Sequence, residues 1–528
     1  MLSEKRKRAR VAIAAFVILF CGLVALSTAA QLKQATKISP TDRPVDISLS
    51  EWQAKLKRDI IPNMSGMVGL ILAERLGMKE ICGKPLGESK PSPRKHFTYN
   101  VPVSTEYGIY ENEPSIAIDP TNDHYVIALN HYAYSGTNYI VARTSYDGGV
   151  SFWESPVYLP FSPNAGVDEF LSDPVVRYEP DGYYAVAAYI SVRGDASTSD
   201  LIFTRSSNGG FSWSGATVVW PGSTGYFVDK PWIDVHRYDT TKAMVLYITF
   251  TLFTPSNSVM ALTYSLDDGA NWWNNAWALQ WATTDVVQGG RAIGVKGGST
   301  PGVVAAWYWS GTDGIRTGKF NIQTRYIPDV VSGAYYSAPA AANCAYECPA
   351  YLGPSGAYHR WWGTMFPSID IGPDNRVFIA FSVDPVTNPT SAEDGDVYVT
   401  YSLNSTYTSW VAKKKMGYGG TAAQGYPTIV TQRQADGKYK VYLSWMHHDG
   451  ASKNLYYDFW RKVSINNGGA FASPKKISGY KSISDYLFIG DYNDSSAHPR
   501  RVLAIWTDRS HVTSKYDYDD DVICDRID

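Results

Sequence analysis

The chain has 528 residues and a formal net charge of −2, with 48 Lys and Arg against 50 Asp and Glu. Such balance excludes a nucleic-acid partner gripped through its phosphates, and the length exceeds one ordinary core while suiting a repeat architecture. The 38 Tyr and 17 Trp beside 44 Gly and 29 Pro fit many short strands joined by tight turns, with aromatic rings packed between sheets or facing a sugar ligand.

The first thirty residues predict a targeting segment. Lys5, Arg6, Lys7, Arg8 and Arg10 precede a nearly continuous apolar run, Val11 to Leu26, and the small residues of Ser27 to Ala30 offer a cleavage site. The run is shorter than the ~20 residues of a membrane span. Residues 1–30 are therefore expected to be a signal peptide or membrane anchor. The protein is expected outside the cytoplasm, secreted or at the cell surface, meeting a membrane only through this segment if it stays uncleaved. An exported chain favours disulfides. Excluding Cys21, the four cysteines allow three pairings, of which Cys344–Cys348 with Cys82–Cys524 is favoured.

Residues 31–95 read as a helical arm and linker. Ser48-Leu-Ser-Glu51 is a capping box that predicts a helix to about Ile61. A second short helix is expected over 65–78, and the three prolines of 84–93 mark a linker.

From residue 96 to 528 the pattern is all-β and repetitive. A turn, Ser145-Tyr-Asp147-Gly-Gly149-Val-Ser-Phe152, recurs as Ser206-Ser-Asn208-Gly-Gly210-Phe-Ser-Trp213 and Ser265-Leu-Asp267-Asp-Gly269-Ala-Asn-Trp272. A weaker copy is Ser464-Ile-Asn466-Asn-Gly468-Gly-Ala-Phe471, and a decayed one runs from Ser402 through Asn404 to Trp410. Strand starts fall at Glu113-Pro114, Asp173-Pro174, Lys230-Pro231, Gly290-Arg291, Phe366-Pro367, Tyr426-Pro427 and Asp485. Their spacing is 57 to 60 residues except one step of 76. Each start leads to a second apolar strand, a third before the glycine turn, and a short fourth. Four antiparallel strands repeated seven times predict a seven-bladed β-propeller, with six blades as the alternative count. Phe97 to Val103 is expected to supply the missing fourth strand of the last blade.

The turns resemble the Asp-box, or bacterial neuraminidase repeat, of sialidase-like propellers, with the pattern Ser-x-Asp-x-Gly-x-x-aromatic. Asp229-Lys-Pro-Trp-Ile-Asp234, Phe488-Ile-Gly-Asp-Tyr492 and Ala504-Ile-Trp-Thr-Asp-Arg509 are similar to segments of exported proteins grouped with the sialidases. The resemblance covers about residues 97–526 and implies the propeller fold. The sialidase Phe/Tyr-Arg-Ile-Pro motif is missing from the propeller's start; Arg325-Tyr-Ile-Pro328 echoes it in the fourth blade. No sialidase catalytic residue is carried over.

Asp147, Asn208, Asp267 and Asn466 are expected to hold their own turns together by accepting backbone N–H bonds. Chain direction puts these turns on one face and the strand starts, with the loops between second and third strands, on the other. That second face is the expected ligand mouth. Carboxylates there can act as acid and base in glycoside cleavage, and Glu113, Asp173 and Asp229 are the catalytic candidates. Substrate-binding candidates are Lys230, Arg291, Arg193, His131, His447, Asp491, Tyr492, Asp508 and Arg509, with arginine suited to clamping a sugar carboxylate. An aromatic insertion, 332–365, adds Trp361 and Trp362 as a sugar platform. No cofactor is expected, although Asp517, Asp519, Asp520 and Asp521 could hold calcium. The expected function is an exported, carbohydrate-acting glycoside hydrolase. The alternatives are a non-catalytic glycan- or protein-binding surface module and a structural assembly protein.

Overall fold

The computed structural model describes residues 32–41, 47–60, 66–76 and most of 100–528. Segments 77–99, 311–318, 345–365, 384–394, 418–423, 449–455, 484–488 and 511–519, with some shorter ones, lie outside the described residues. So does the expected targeting segment.

The chain forms seven antiparallel sheets around a ring. Blade 1 is Tyr110–Ile118, Val126–Tyr134, Thr137–Ser145 and Val157–Tyr158. The innermost strands of blades 2 to 7 are Glu169–Tyr178, Phe227–His236, Val287–Val295, Ser368–Ile371, Gln424–Arg433 and Asp494–His498. Each innermost strand touches those of both neighbours, and that of blade 7 meets that of blade 1. Second strands such as Val245–Phe253 are buried throughout, because each sheet is covered by a blade on both faces.

The last blade is closed by the N-terminal side of the propeller. Val101 pairs with Cys524 and Pro102 with Ile523, so blade 7 obtains its fourth strand from the predicted segment. This joins chain ends more than 400 positions apart and removes an exposed sheet edge.

The repeated turn is a local hydrogen-bond device. Asp147 Oδ1 accepts from the backbone of Val150 and Ser151 at 3.0 and 2.9 Å. Asn208, Asp267 and Asn466 accept from Ser212, Asn271 and Ala470 at 2.9 Å each. The opening serines complete the turn: Ser145, Ser206, Ser265 and Ser464 accept from Gly149, Gly210, Gly269 and Gly468. Even the decayed copy keeps the pattern, with Asn404 Oδ1 accepting from Thr408 and Ser409.

The arm is more than a pair of helices. Lys33–Gln34 adds a fifth strand to blade 4 and Thr36–Ile38 adds one to blade 3. Helix α1 (Leu49–Lys55) starts at the Ser48/Glu51 capping box and runs on as a π-helical turn, Leu56–Ile60. Helix α2 is Gly66–Arg75. Trp52, Leu56, Val68, Ile71 and Leu72 are buried in one cluster with Tyr110, Phe170, Phe227 and Val228 at the starts of innermost strands. Trp52 Nε1 donates to Ala196 O at 3.3 Å and Gln53 Nε2 to Asp195 O at 2.9 Å. The arm therefore covers the strand-start face of blades 2 and 3.

Three expectations need correction. The innermost strand of blade 7 begins at Asp494, not Asp485. Its register follows from the ring: Asp494 accepts from Ser115 and Ile116 of blade 1 just as Ser115 accepts from Val176 of blade 2. Tyr335 and Tyr336 lie on the fourth strand of blade 4, Ala334–Cys344, rather than in an insertion; Trp361 and Trp362 lie outside the described residues. Cys344 and Cys524 are buried free thiols, each occupying apolar sheet-packing space, so neither expected bridge is formed at its described end. Cys348 and Cys82 lie outside the described residues.

Candidate functional site

Near the start of most innermost strands the chain bulges. The register with the second strand slips at Asn112/Ser115, Ser172/Val175, Asp229/Trp232, Gln288/Arg291 and Gly425/Thr428. Inside four of these bulges a non-glycine residue sits in left-handed backbone: Glu113 at φ 52°, Asp173 at 56°, Lys230 at 50° and Tyr426 at 53°. Each precedes a proline, which itself disfavours helical backbone at that position. Such conformations cost about 1–3 kcal/mol apiece and persist where surrounding structure imposes them, often at functional sites.

The bulges aim charged side chains at the ring's axis. Lys230 Nζ lies 3.2 Å from Asp173 Oδ1 and 3.2 Å from the centre of the Tyr492 ring. Tyr492 donates its hydroxyl to Pro174 O at 2.8 Å. Gln288 Nε2 donates to Asp229 Oδ2 at 2.7 Å. Ser172 Oγ approaches Glu113 Oε2 at 3.4 Å, whereas Glu113 Oε1 accepts no hydrogen bond among the described residues. Gly490, at φ 91°, lets blade 7 pass close by: a Cβ there would lie 2.9 Å from the Glu113 backbone nitrogen.

These groups are sealed from solvent: Glu113, Asp173 and Asp229 are 0% exposed, Asp491 1% and Lys230 3%. Burial raises the Glu113 carboxyl well above the usual carboxylate range, and the charges of Asp173, Asp491 and Asp229 add to this against the opposing Lys230. The cluster thus sets a carboxyl with a raised hold on its proton beside the Lys230–Asp173 ion pair.

One layer further along the axis the environment opens. A cavity of about 210 Å³ is lined by Trp232, Arg291, Ser368 and Asp494, then by Arg177, Asp234, Asp370 and Thr431. Accessibility grows along the strands in the same direction: Phe227–His236 is buried at its start and half-buried over its last three residues. The cavity therefore opens toward the face carrying the glycine turns, opposite the expected mouth. Between the two sites stand Tyr492 and Trp232, packed edge to face with centres 5.9 Å apart.

Most polar groups of the cavity stitch one blade to the next. Asp234 Oδ2 accepts from Gly294 N at 2.7 Å, Ser368 Oγ from Ile429 N at 3.1 Å, and Asp370 Oδ2 from Thr431 N. Arg177 is held by Asp494 through contacts of 2.8 and 3.4 Å. Burial raises Asp234 and Asp370 to about 6.

The remaining sequence candidates are dispersed. His131 is fully buried in blade 1, where desolvation holds it neutral, at about 3. His447 packs at a tilt against Trp460 with centres 5.2 Å apart. Arg193 stands opposite Glu169 at the strand-start edge of blade 2. Asp508 accepts from Ser482 and Ser510 at 2.6 Å. Arg509 is fully buried with its Nε 3.2 Å from Asp520, which gives that aspartate a cationic partner. Asp517 and Asp519 lie outside the described residues.

The structure brings together Glu113, Asp173, Asp229, Lys230, Asp491 and Tyr492, and places Arg291 in the adjoining cavity. Arg177, Trp232, Asp234, Ser368, Asp370 and Asp494 went unselected in the sequence. For five of them the signal was alternation: Arg177, Trp232, Asp234, Ser368 and Asp370 occupy the first or third position after their strand-start dipeptides, on the same side of the strand, whereas Asp494 opens the blade 7 strand whose expected start lay nine residues earlier.

No family model and no curated protein matches the sequence. Among solved structures, a PL25 ulvan lyase is 11% identical at a TM-score of 0.47, covering 81% of this chain and 95% of that one. The α-L-arabinanase of Penicillium chrysogenum is 14% identical at 0.42, covering 70% and 98%. The intramolecular trans-sialidase of Ruminococcus gnavus is 13% identical at 0.38, covering 83% and 97%. Seven blades are counted from the sheets themselves, and the chain's structural similarity to these carbohydrate-active propellers is distant.

Proposed function

We propose that this protein is a glycoside hydrolase whose acid–base groups are the axial cluster of Glu113, Asp173 and Asp229. The observation that supports this is the asymmetry of the carboxyls. Burial and neighbouring carboxylates raise the hold of Glu113 on its proton, while Asp173 has Lys230 at 3.2 Å. Glycoside cleavage needs this pairing: one carboxyl protonates the leaving oxygen and an ionised one serves as nucleophile or base. Left-handed backbone at Glu113, Asp173 and Lys230 fixes the three groups in place, as preorganised chemistry requires. The substrate is a glycan reaching the strand-start face, and the expected export would bring the protein to it.

The test is a hydrolysis screen of polysaccharides and aryl glycosides with the wild type, Glu113→Gln and Asp173→Asn. Loss of turnover by 10²-fold or more in both variants, with binding retained, supports the reading. Turnover unaffected by either change overturns it.

A second reading has its own observation. Every group of the cluster is at most 3% exposed, and the helical arm covers the strand-start face of two blades. A closed polar plug of this kind belongs to a non-catalytic glycan- or protein-binding module. Binding without any turnover in the same screen selects it.

A further inference from the structure

We infer that the axial cavity on the glycine-turn side is a binding site for a small oxyanionic group, a carboxylate or sulfate, received by Arg291. It is a different site from the acid cluster and opens on the opposite face.

Arg291 carries the inference. It is 5% exposed and lines the cavity. Its guanidinium lies 3.5 Å from the centre of the Trp232 ring, and Nη1 donates to Ser368 Oγ at 3.1 Å. No carboxylate forms an ion pair with it among the described residues. Desolvation lowers it to about 9, with the Asp494 charge opposing and Arg177 adding to the shift. Burying a cation with no opposite charge paired to it is unfavourable. The four N–H donors not spent on Ser368 form a planar fork suited to two oxygens of an anion.

The neighbouring cation is already committed. Arg177 is held by Asp494 at 2.8 Å, so the arginine with donors to spare is Arg291. The carboxylates are tied down as well, since Asp234 and Asp370 accept from the backbone of the next blade. The charged groups facing the cavity are Arg177, Asp234, Arg291, Asp370 and Asp494, from blades 2, 3, 4, 5 and 7; blade 6 supplies Thr431. Asp234 and Asp370 titrate near 6. Below that they lose their negative charge while both arginines keep theirs, so anion binding tightens as pH falls from about 7.5 to 5.5.

The experiment is calorimetric titration of the full chain at pH 5.5 and 7.5, at fixed ionic strength in chloride. The probes are sodium sulfate, sodium glucuronate and, as the neutral control, methyl glucoside. Expected is saturable binding of an anionic probe, tighter at pH 5.5, weakened at least tenfold in Arg291→Gln. Sulfate binding alone identifies a free inorganic oxyanion, and tighter glucuronate binding identifies an acidic sugar. Should Arg291→Gln fail to fold, Ala497→Glu decides: Ala497 is a half-buried lining residue, and a carboxylate there should weaken binding to the same extent. Equal binding in a folded variant, binding of the neutral probe alone, or no saturable binding by the wild type overturns the inference. No turnover is read, so its failure leaves the hydrolase proposal standing.

Discussion

Lys230 reaches across a blade boundary to set its ammonium 3.2 Å from Asp173, and both residues hold left-handed backbone, φ 50° and 56°. Two strained positions on neighbouring innermost strands thus share one buried ion pair. Removing one partner of such a pair is far more damaging than removing both. Lys230→Met is expected to cost about 3–5 kcal/mol, because it strands a buried carboxylate. The double variant Lys230→Met/Asp173→Asn should recover much of that loss. Urea unfolding of both variants checks this, and equal destabilisation would show that the pair is not coupled.

The turn carboxylate Asp147 gives an acid-limb prediction. Burial opposes ionisation there, but hydrogen bonds from Ser151, Ser145 and Val150 outweigh it and lower the group below its ordinary range. A depressed folded value means stability present above the unfolded value, ~3.9, and lost as pH falls through the folded one. Asp147→Asn should remove that dependence while changing stability little near neutrality, since Asn208 and Asn466 make the same backbone bond. Asp147→Ala should cost about 1–2 kcal/mol. Thermal melts between pH 2.5 and 7 separate these outcomes.

Glu179 predicts the opposite slope. It is 2% exposed, and burial, followed by the charges of Asp268 and Asp181, raises it to about 8. With a raised folded value, its contribution is fully present below the unfolded value, ~4.3, and is lost as pH rises through about 8. Glu179→Gln should therefore flatten the decline in stability between about pH 5 and 8, where the folded carboxyl holds a proton that the unfolded one has lost. An unchanged slope in denaturant titrations across that range would assign the decline to other groups.

Trp52 anchors the arm to the propeller. It is fully buried and bonded to Ala196 O, and Trp→Ala truncations of this kind cost about 3–5 kcal/mol. Trp52→Ala should lower the melting temperature and expose α1 to limited proteolysis before the blades are cut. Loss of the arm and blades in one step would mean that the arm has no separate stability.

Cys524 reports the closure of the ring. Its thiol is fully buried and pushed up by desolvation, on the strand that pairs with Val101 and Pro102. It should stay unreactive toward a thiol reagent in the native protein and react at the rate of global unfolding. Reaction faster than unfolding would reveal independent opening of the seventh blade.

How much of this was legible in the sequence follows from what each residue interacts with. The repeat, the seven units and the capping box were readable because the turns and the cap are local: Ser145, Asp147 and Gly149 satisfy one another within five residues. The closing segment was readable because one unit lacked a strand. The convergence of Glu113, Asp173, Asp229 and Lys230 followed from chain direction alone. The sequence could not show that the arm would cover their face, since Trp52 meets Ala196 only after the ring has closed. Nor could it separate Arg177, paired with Asp494 across 317 positions, from Arg291, which forms no ion pair among the described residues. Local hydrogen bonding and periodicity determined the architecture. Burial, solvent access and charge pairing were decided by contacts between blades distant in the chain, which only the tertiary structure brings together.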